Sequence, residues 1–83
     1  MKLPIIKHLV KADYIPDSYE EAVDVLISYC EARGVKDEEL DVIGEIISNL
    51  EGAIVVKNDI QNNSTPEREA LNAFMKRVIN AVK

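Results

Sequence analysis

The sequence predicts an all-α fold: a small up-and-down helical bundle of three long helices and a short N-terminal helix, in a single helical domain covering residues 1–83. Three observations carry that expectation. Apolar residues recur at steps of three and four along most of the chain. Prolines sit where such runs begin, and Gly34 sits where one ends. Every connection between the runs is short, which suits helices packed side by side.

The first element is "PIIKHLVKAD", with Pro4 at a helix start and Ile5, Ile6, Leu9 and Val10 on one side. "DYIPD" at 13–17 then breaks it, because Pro16 disfavours helix at Ile15. A second helix is expected to open at Asp17 or Ser18, where Ser18 with Glu21, or Asp17 with Glu20, makes a capping-box pattern. Tyr19, Ala22, Val23, Leu26, Tyr29 and Cys30 form its apolar stripe. Gly34 is expected to end it as the left-handed residue just past the last turn.

The third helix opens at Asp37, a candidate cap, with Glu38 and Glu39 in its electropositive first turn. Its apolar residues at 40, 43, 47, 50 and 54 step by three and four, and a second row at 46, 53 and 60 steps by seven. Two rows imply two buried sides, so this helix is expected to be the hub. It should end in "KNDIQNN", with Asn62 or Asn63 left-handed. The last helix should open at Thr65 and Pro66, with Ser64 and Glu67 as a competing box, and carry Leu71, Phe74, Met75, Val78 and Val82 inward.

Two glycines interrupt the hub. Gly44, Ser48 and Gly52 are spaced by four, so they stack along one stripe of the helix. Each interior glycine costs roughly 0.5 to 1 kcal/mol relative to alanine. A ridge without side chains lets another backbone approach closely, so the stripe predicts a close helix contact, either within the chain or with a second copy.

A chain of 83 residues has a thin stability margin. Cys30 is the single cysteine, so no disulfide forms within the chain, and no cysteine and histidine cluster offers a structural zinc site. Self-association is the remaining support, and 47% hydrophobic residues supplies material for it, so a homodimer is expected. The net charge of −5 argues against nucleic acid as a partner. Twelve acids and three bases lie between residues 17 and 59, flanked by basic ends. The pattern fits either solvated helix faces loosely paired with the basic ends, each exposed pair worth little, or an acidic docking face. For the docking face, Asp37, Glu38, Asp41 and Glu45 are the candidate residues toward a protein partner. "MKLPIIKHLVKADYIP" has no continuous apolar core of a secretory signal, and no apolar run is long enough to span a bilayer. A cytoplasmic protein without membrane contact is expected, and the sequons in "NNST" then carry no glycan.

No catalytic set, metal site or cofactor motif stands out. The alternative to an interaction protein is an enzyme or metal binder using the acidic residues of the central helix, Asp41 and Glu45, one turn apart, with His8 the single imidazole. His8 reads more simply as a partly buried residue paired with a carboxylate, and Cys30 as an inert core thiol.

The blocks "KLPIIKHL" (2–9), "KDEELDVIGEIISNLEGAI" (36–54) and "EALNAFMKRV" (69–78) resemble the recurring blocks of a family of short, uncharacterised, all-helical bacterial proteins, a domain of unknown function. The resemblance implies a helical fold, no assigned activity and no catalytic residues, and at most a role beside thiol redox chemistry. Cys30 lies outside the matching blocks and takes no redox role from it.

Overall fold

The computed structural model describes residues 2–82, with side chains through Val78, and contains four helices: α1 (Leu3–Lys11), α2 (Pro16–Cys30), α3 (Asp37–Asn63) and α4 (Glu67–Val82). No strand occurs among the described residues, and the fold is a small all-α bundle.

The helix starts differ from the sequence expectation in which residue does the capping. Pro16 itself opens α2, and Ile15 precedes it without a side-chain cap, so Ser18 lies inside the first turn and its box is unused. With the helix begun at Pro16, the Glu20 and Glu21 amides already have carbonyl partners one turn back, which removes the demand that Ser18 would have met. At α3, Glu39 reaches back to accept the Lys36 backbone N–H at 3.2 Å, and this bond, not one from Asp37, orders the start.

The helix ends shift as well. α2 stops at Cys30, and Gly34, left-handed at φ +90°, shapes the turn beyond it instead of the last helical residue's exit. α3 runs through both asparagines to Asn63, and Ser64 takes the left-handed conformation at φ 53°. Asp59 explains the extra residues: its Oδ1 accepts from Asn63 Nδ2 at 2.8 Å and from the Thr65 hydroxyl at 3.2 Å. Thr65 is thereby tied back to α3, and α4 begins at Glu67.

α3 is the hub, packed by each of the other three helices. The chain runs up and down: Tyr19 of α2 lies beside Lys57, whereas Leu26 and Tyr29 lie beside Glu38 and Val42. α1 runs parallel to α3, because its start meets Asn49 and its end meets Lys57.

Those two contacts hold a helix too short to stand alone. Nine residues are marginal in isolation, and a helix leaves several amides and carbonyls without partners at its ends. The buried Asn49 accepts the Lys2 backbone N–H through Oδ1 at 2.8 Å. Eight residues on, buried Lys57 donates through Nζ to the Ala12 carbonyl at 2.8 Å and to the Tyr14 carbonyl. Two turns and a little more of α3, about 12 Å at 1.5 Å per residue, thus match the length of α1. Tyr19 adds a third tie by donating its hydroxyl to the Leu9 carbonyl at 2.7 Å, with Lys57 Nζ 5.2 Å from its ring centre.

Between the clamps α1 buries Ile6 and Val10. Ile6 reaches Gly52, where a methyl group in place of the glycine hydrogen would come within 2.9 Å of Ile6 Cδ1 and 3.0 Å of Phe74 Cζ. Side chains from α1 and α4 therefore meet over Gly52; what fills the notch is not another backbone. Ala53, Val56, Ala70 and Leu71 complete the core around it, with Met75 and Val78 partly buried against it. Val82, expected on the same stripe, lies outside the described side chains. His8 is exposed, not partly buried with a carboxylate, because Ile6 and Val10 take the inward face.

Replacing Gly52 with leucine should cost on the order of 1–3 kcal/mol, since Ile6 and Phe74 must both move; urea denaturation showing no loss would mean that the notch is loose. Lys57→Met keeps the apolar stem and orphans two carbonyls, so a loss of about 1.5–3 kcal/mol is expected, read as reduced amide protection in α1 before α3. Burial, with a smaller contribution from Tyr14, raises the Tyr19 phenol above its ordinary value. The stability tied to that shift is complete below about pH 10 and lost as pH rises through the raised folded value. Tyr19→Phe should therefore be less stable by about 1 kcal/mol near neutrality but lose less on going to about pH 11; parallel declines for both proteins would remove the phenol as the cause.

Candidate functional site

The C-terminal half of α2 and the N-terminal half of α3 lie side by side beyond the reach of α1. Between them runs a groove of ≈ 490 Å³ lined by Leu26, Tyr29, Glu38, Glu39, Val42 and Ile43. Its floor is apolar because Leu26 and Tyr29 of the α2 stripe meet Val42 and Ile43 of α3 there. Ile43 is buried, Leu26 is partly buried, and Tyr29 and Val42 remain 50% and 59% exposed. No ordinary core requirement leaves two such side chains open next to each other.

Carboxylates edge this floor. Glu38 and Glu39 line the groove, while Asp37, Asp41 and Glu45 rise along one exposed row of α3 at steps of four. Glu45 Oε1 lies 3.3 Å from Lys2 Nζ, an exposed pair worth little by itself. The structure thus places Glu38 at the groove, sets Asp41 and Glu45 on the adjacent row, and couples that row to the basic start of α1. Among the described residues no three of His, Cys, Asp and Glu gather closely enough to hold a metal ion. His8 is not part of any such group.

The small-residue stripe divides. Gly52 is buried under Ile6 and Phe74, Ser48 is half-buried, and Gly44 has nothing within 4 Å of its would-be methyl among the described residues. α1 begins at the level of Asn49, so the notch at Gly52 is filled and the position two turns earlier is not. On the far side of the α2 and α3 pair a second groove carries Val23, Ile27, Ile54 and Val55 with Glu20 and Glu51 at its edges. Leu40, 36% exposed, continues the apolar surface toward the start of α3.

Cys30 is a free, half-buried thiol near the end of α2. Sequence reasoning missed Asn49 and Lys57. The signal was present: both interrupt apolar rows of α3, and a polar residue on a buried row needs a partner. Tyr29, on the apolar stripe of α2, sits half-exposed at the groove rim instead of inward, because α2 ends one residue later.

No helix among the described residues is long and apolar enough to cross a membrane. No curated protein and no solved structure matches the chain. The resemblance of its three sequence blocks to a family without an assigned activity has a counterpart that spans the whole chain: over residues 1–83 it matches the family of unknown function DUF6952, and it belongs to that family.

Proposed function

We propose that the chain is a small helical interaction protein of the cytoplasm that acts as a homodimer and presents its acidic face, Asp37, Glu38, Asp41 and Glu45, to a protein partner. The observation that carries this reading is surface that the fold leaves uncovered. The chain exposes 5966 Å², whereas a compact monomer of its 9.3 kDa mass would expose roughly 5,000 Å². The difference, roughly 1,000 Å², is comparable with the ~800 Å² that each partner contributes to a stable interface. Part of the excess is apolar and lies on the Gly44 side of α3, where Ile27, Leu40 and Val55 are between 36% and 45% exposed.

The surface for a second copy is the open side of α3, where Gly44 and Ser48 lie between Leu40 and Val55, with Ile27 across the groove. Gly44 leaves space for a helix from the second copy to approach, which gives a reason for a glycine where nothing in the described chain touches it. Two copies related by a twofold axis would bury this stripe against itself. Dispersed, solvent-exposed carboxylates support docking over catalysis, since among the described residues no three of His, Cys, Asp and Glu gather at one point.

Sedimentation across a concentration series should show a dimer at micromolar to high micromolar concentration, and a strict monomer throughout would overturn the dimer. Gly44→Leu should leave the isolated chain helical, because leucine is the better helix former by roughly 0.5–1 kcal/mol. It should also weaken self-association on the order of tenfold or more by filling the crossing point. Unchanged association would move the interface elsewhere.

A further inference from the structure

One row of α3 runs Val42, Ile46, Asn49, Ala53, Val56 and Ile60, stepping alternately by four and three, the spacing of a helix seam built to receive another helix. Its two halves have different fates. Asn49, Ala53 and Val56 are 4% exposed or less, and α1 is clamped over them between Asn49 and Lys57. Val42 and Ile46, on the same row one and two turns nearer the start of α3, are 59% and 44% exposed. The seam continues past the end of the helix that fills it: Val42 lines the groove with Leu26 and Tyr29, and Ile46 follows one turn on along the same row, between the groove and the covered half.

The helix already seated on this row has a definite chemistry. From Lys2 to Lys11 it carries three lysines and no acid, and it buries Ile6 and Val10. Its basic start lies against Glu45. The bare half carries the complementary charge more strongly: residues 26–46 hold six carboxylates against Arg33 and Lys36, and Glu38 and Glu39 stand at the groove itself. A second copy presenting this same groove would bring those carboxylates against their own kind, so the charge disfavours pairing the groove with itself.

We infer that the groove of Leu26, Tyr29, Val42 and Ile43 docks a basic amphipathic helix of a partner protein, seated end to end with α1 on the bare half of the seam. The inference deepens the acidic partner face proposed above and rests on that reading. The ligand places apolar residues at three- and four-residue steps onto Val42, Ile46 and Tyr29, and its Lys or Arg residues face Glu38 and Glu45. Apolar contact supplies affinity, and the carboxylates choose the sign of the partner and steer its approach.

The test uses the full chain and a fluorescent peptide of leucine and lysine only, with leucines at helical three- and four-residue steps, beside a peptide in which glutamate replaces every lysine. Anisotropy should show saturable binding of the basic peptide, weakened by added salt, and none of the acidic one. Val42→Glu with Ile46→Glu, both at exposed positions, should weaken binding on the order of tenfold or more while leaving helicity and melting unchanged. Ile27→Glu with Val55→Glu, on the opposite side of the α2 and α3 pair, should leave peptide binding intact. Equal binding of both peptides, or binding indifferent to the Val42 and Ile46 changes, would overturn the inference. So would absence of binding by the basic peptide. Sedimentation of the same variants separates the two readings. Loss of the dimer in the Val42 and Ile46 variant would assign the groove to a second copy and overturn this inference, whereas a monomer that still binds the basic peptide would remove only the homodimer.

Discussion

The clamp on α1 is the constraint on which the remaining architecture depends. A nine-residue helix has too few internal hydrogen bonds to persist by itself, and its terminal amide and carbonyl groups need partners. Asn49 and Lys57 supply them from one helix, at a separation equal to the length of the helix they hold. That fixes the axial position of α1 to within a residue. Hydrophobic burial of Ile6 and Val10 alone would tolerate a slide of one turn; the paired polar contacts do not. Once α1 is fixed, Ile6 is over Gly52, Phe74 meets it from α4, and the seam of α3 is covered only from Asn49 onward.

The uncovered surfaces follow from that placement. α3 is 27 residues long, and α1 spans about a third of it. Among the described residues the start of α3 is accompanied by α2, and side chains such as Val42 and Ile46 remain open there. A bundle with all helices of equal length would have buried Val42 and Ile46. The molecule instead extends 43 × 31 × 17 Å, with a radius of gyration of 13.8 Å against about 12 Å for a compact chain of this length. The openness is concentrated around the groove and along the Gly44 side of α3, and the two proposed interactions occupy different faces of the same helix.

Much of this was legible in the residues, and what was not has physical reasons. The stripes of three and four located every helix, since burial of one helical face imposes that period whatever it packs against. The hub was legible because α3 carries two such rows. Boundaries were harder: the box at Ser18 is superseded by Pro16, and the turn at Asn63 is set by Asp59 drawing Thr65 back, a contact no local pattern announces. The glycines show the limit most clearly. Gly44 and Gly52 have the same spacing to Ser48 and the same helix around them, yet one faces Ile6 and Phe74 and the other faces nothing described. Spacing reports which residues share a side of a helix; it does not report where along that side a neighbour begins. Lys57 opens the run "KNDIQNN", and its buried role is hidden for a similar reason: its acceptors, Ala12 and Tyr14, are backbone carbonyls more than forty residues away.

The smallest dimension of the molecule, 17 Å between α-carbons, has a thermodynamic consequence. A helix with its side chains is about 10–12 Å across, so hardly any residue lies more than one side-chain layer from water. Unfolding such a plate uncovers less new apolar surface than unfolding a rounder domain of equal length, which lowers the heat-capacity increment and the enthalpy together. A low, broad stability curve is the expected result, with melting spread over many degrees. Any molecule that covers the plate therefore contributes a large share of its total resistance to heat, and the melting temperature reports occupancy almost as directly as it reports folding.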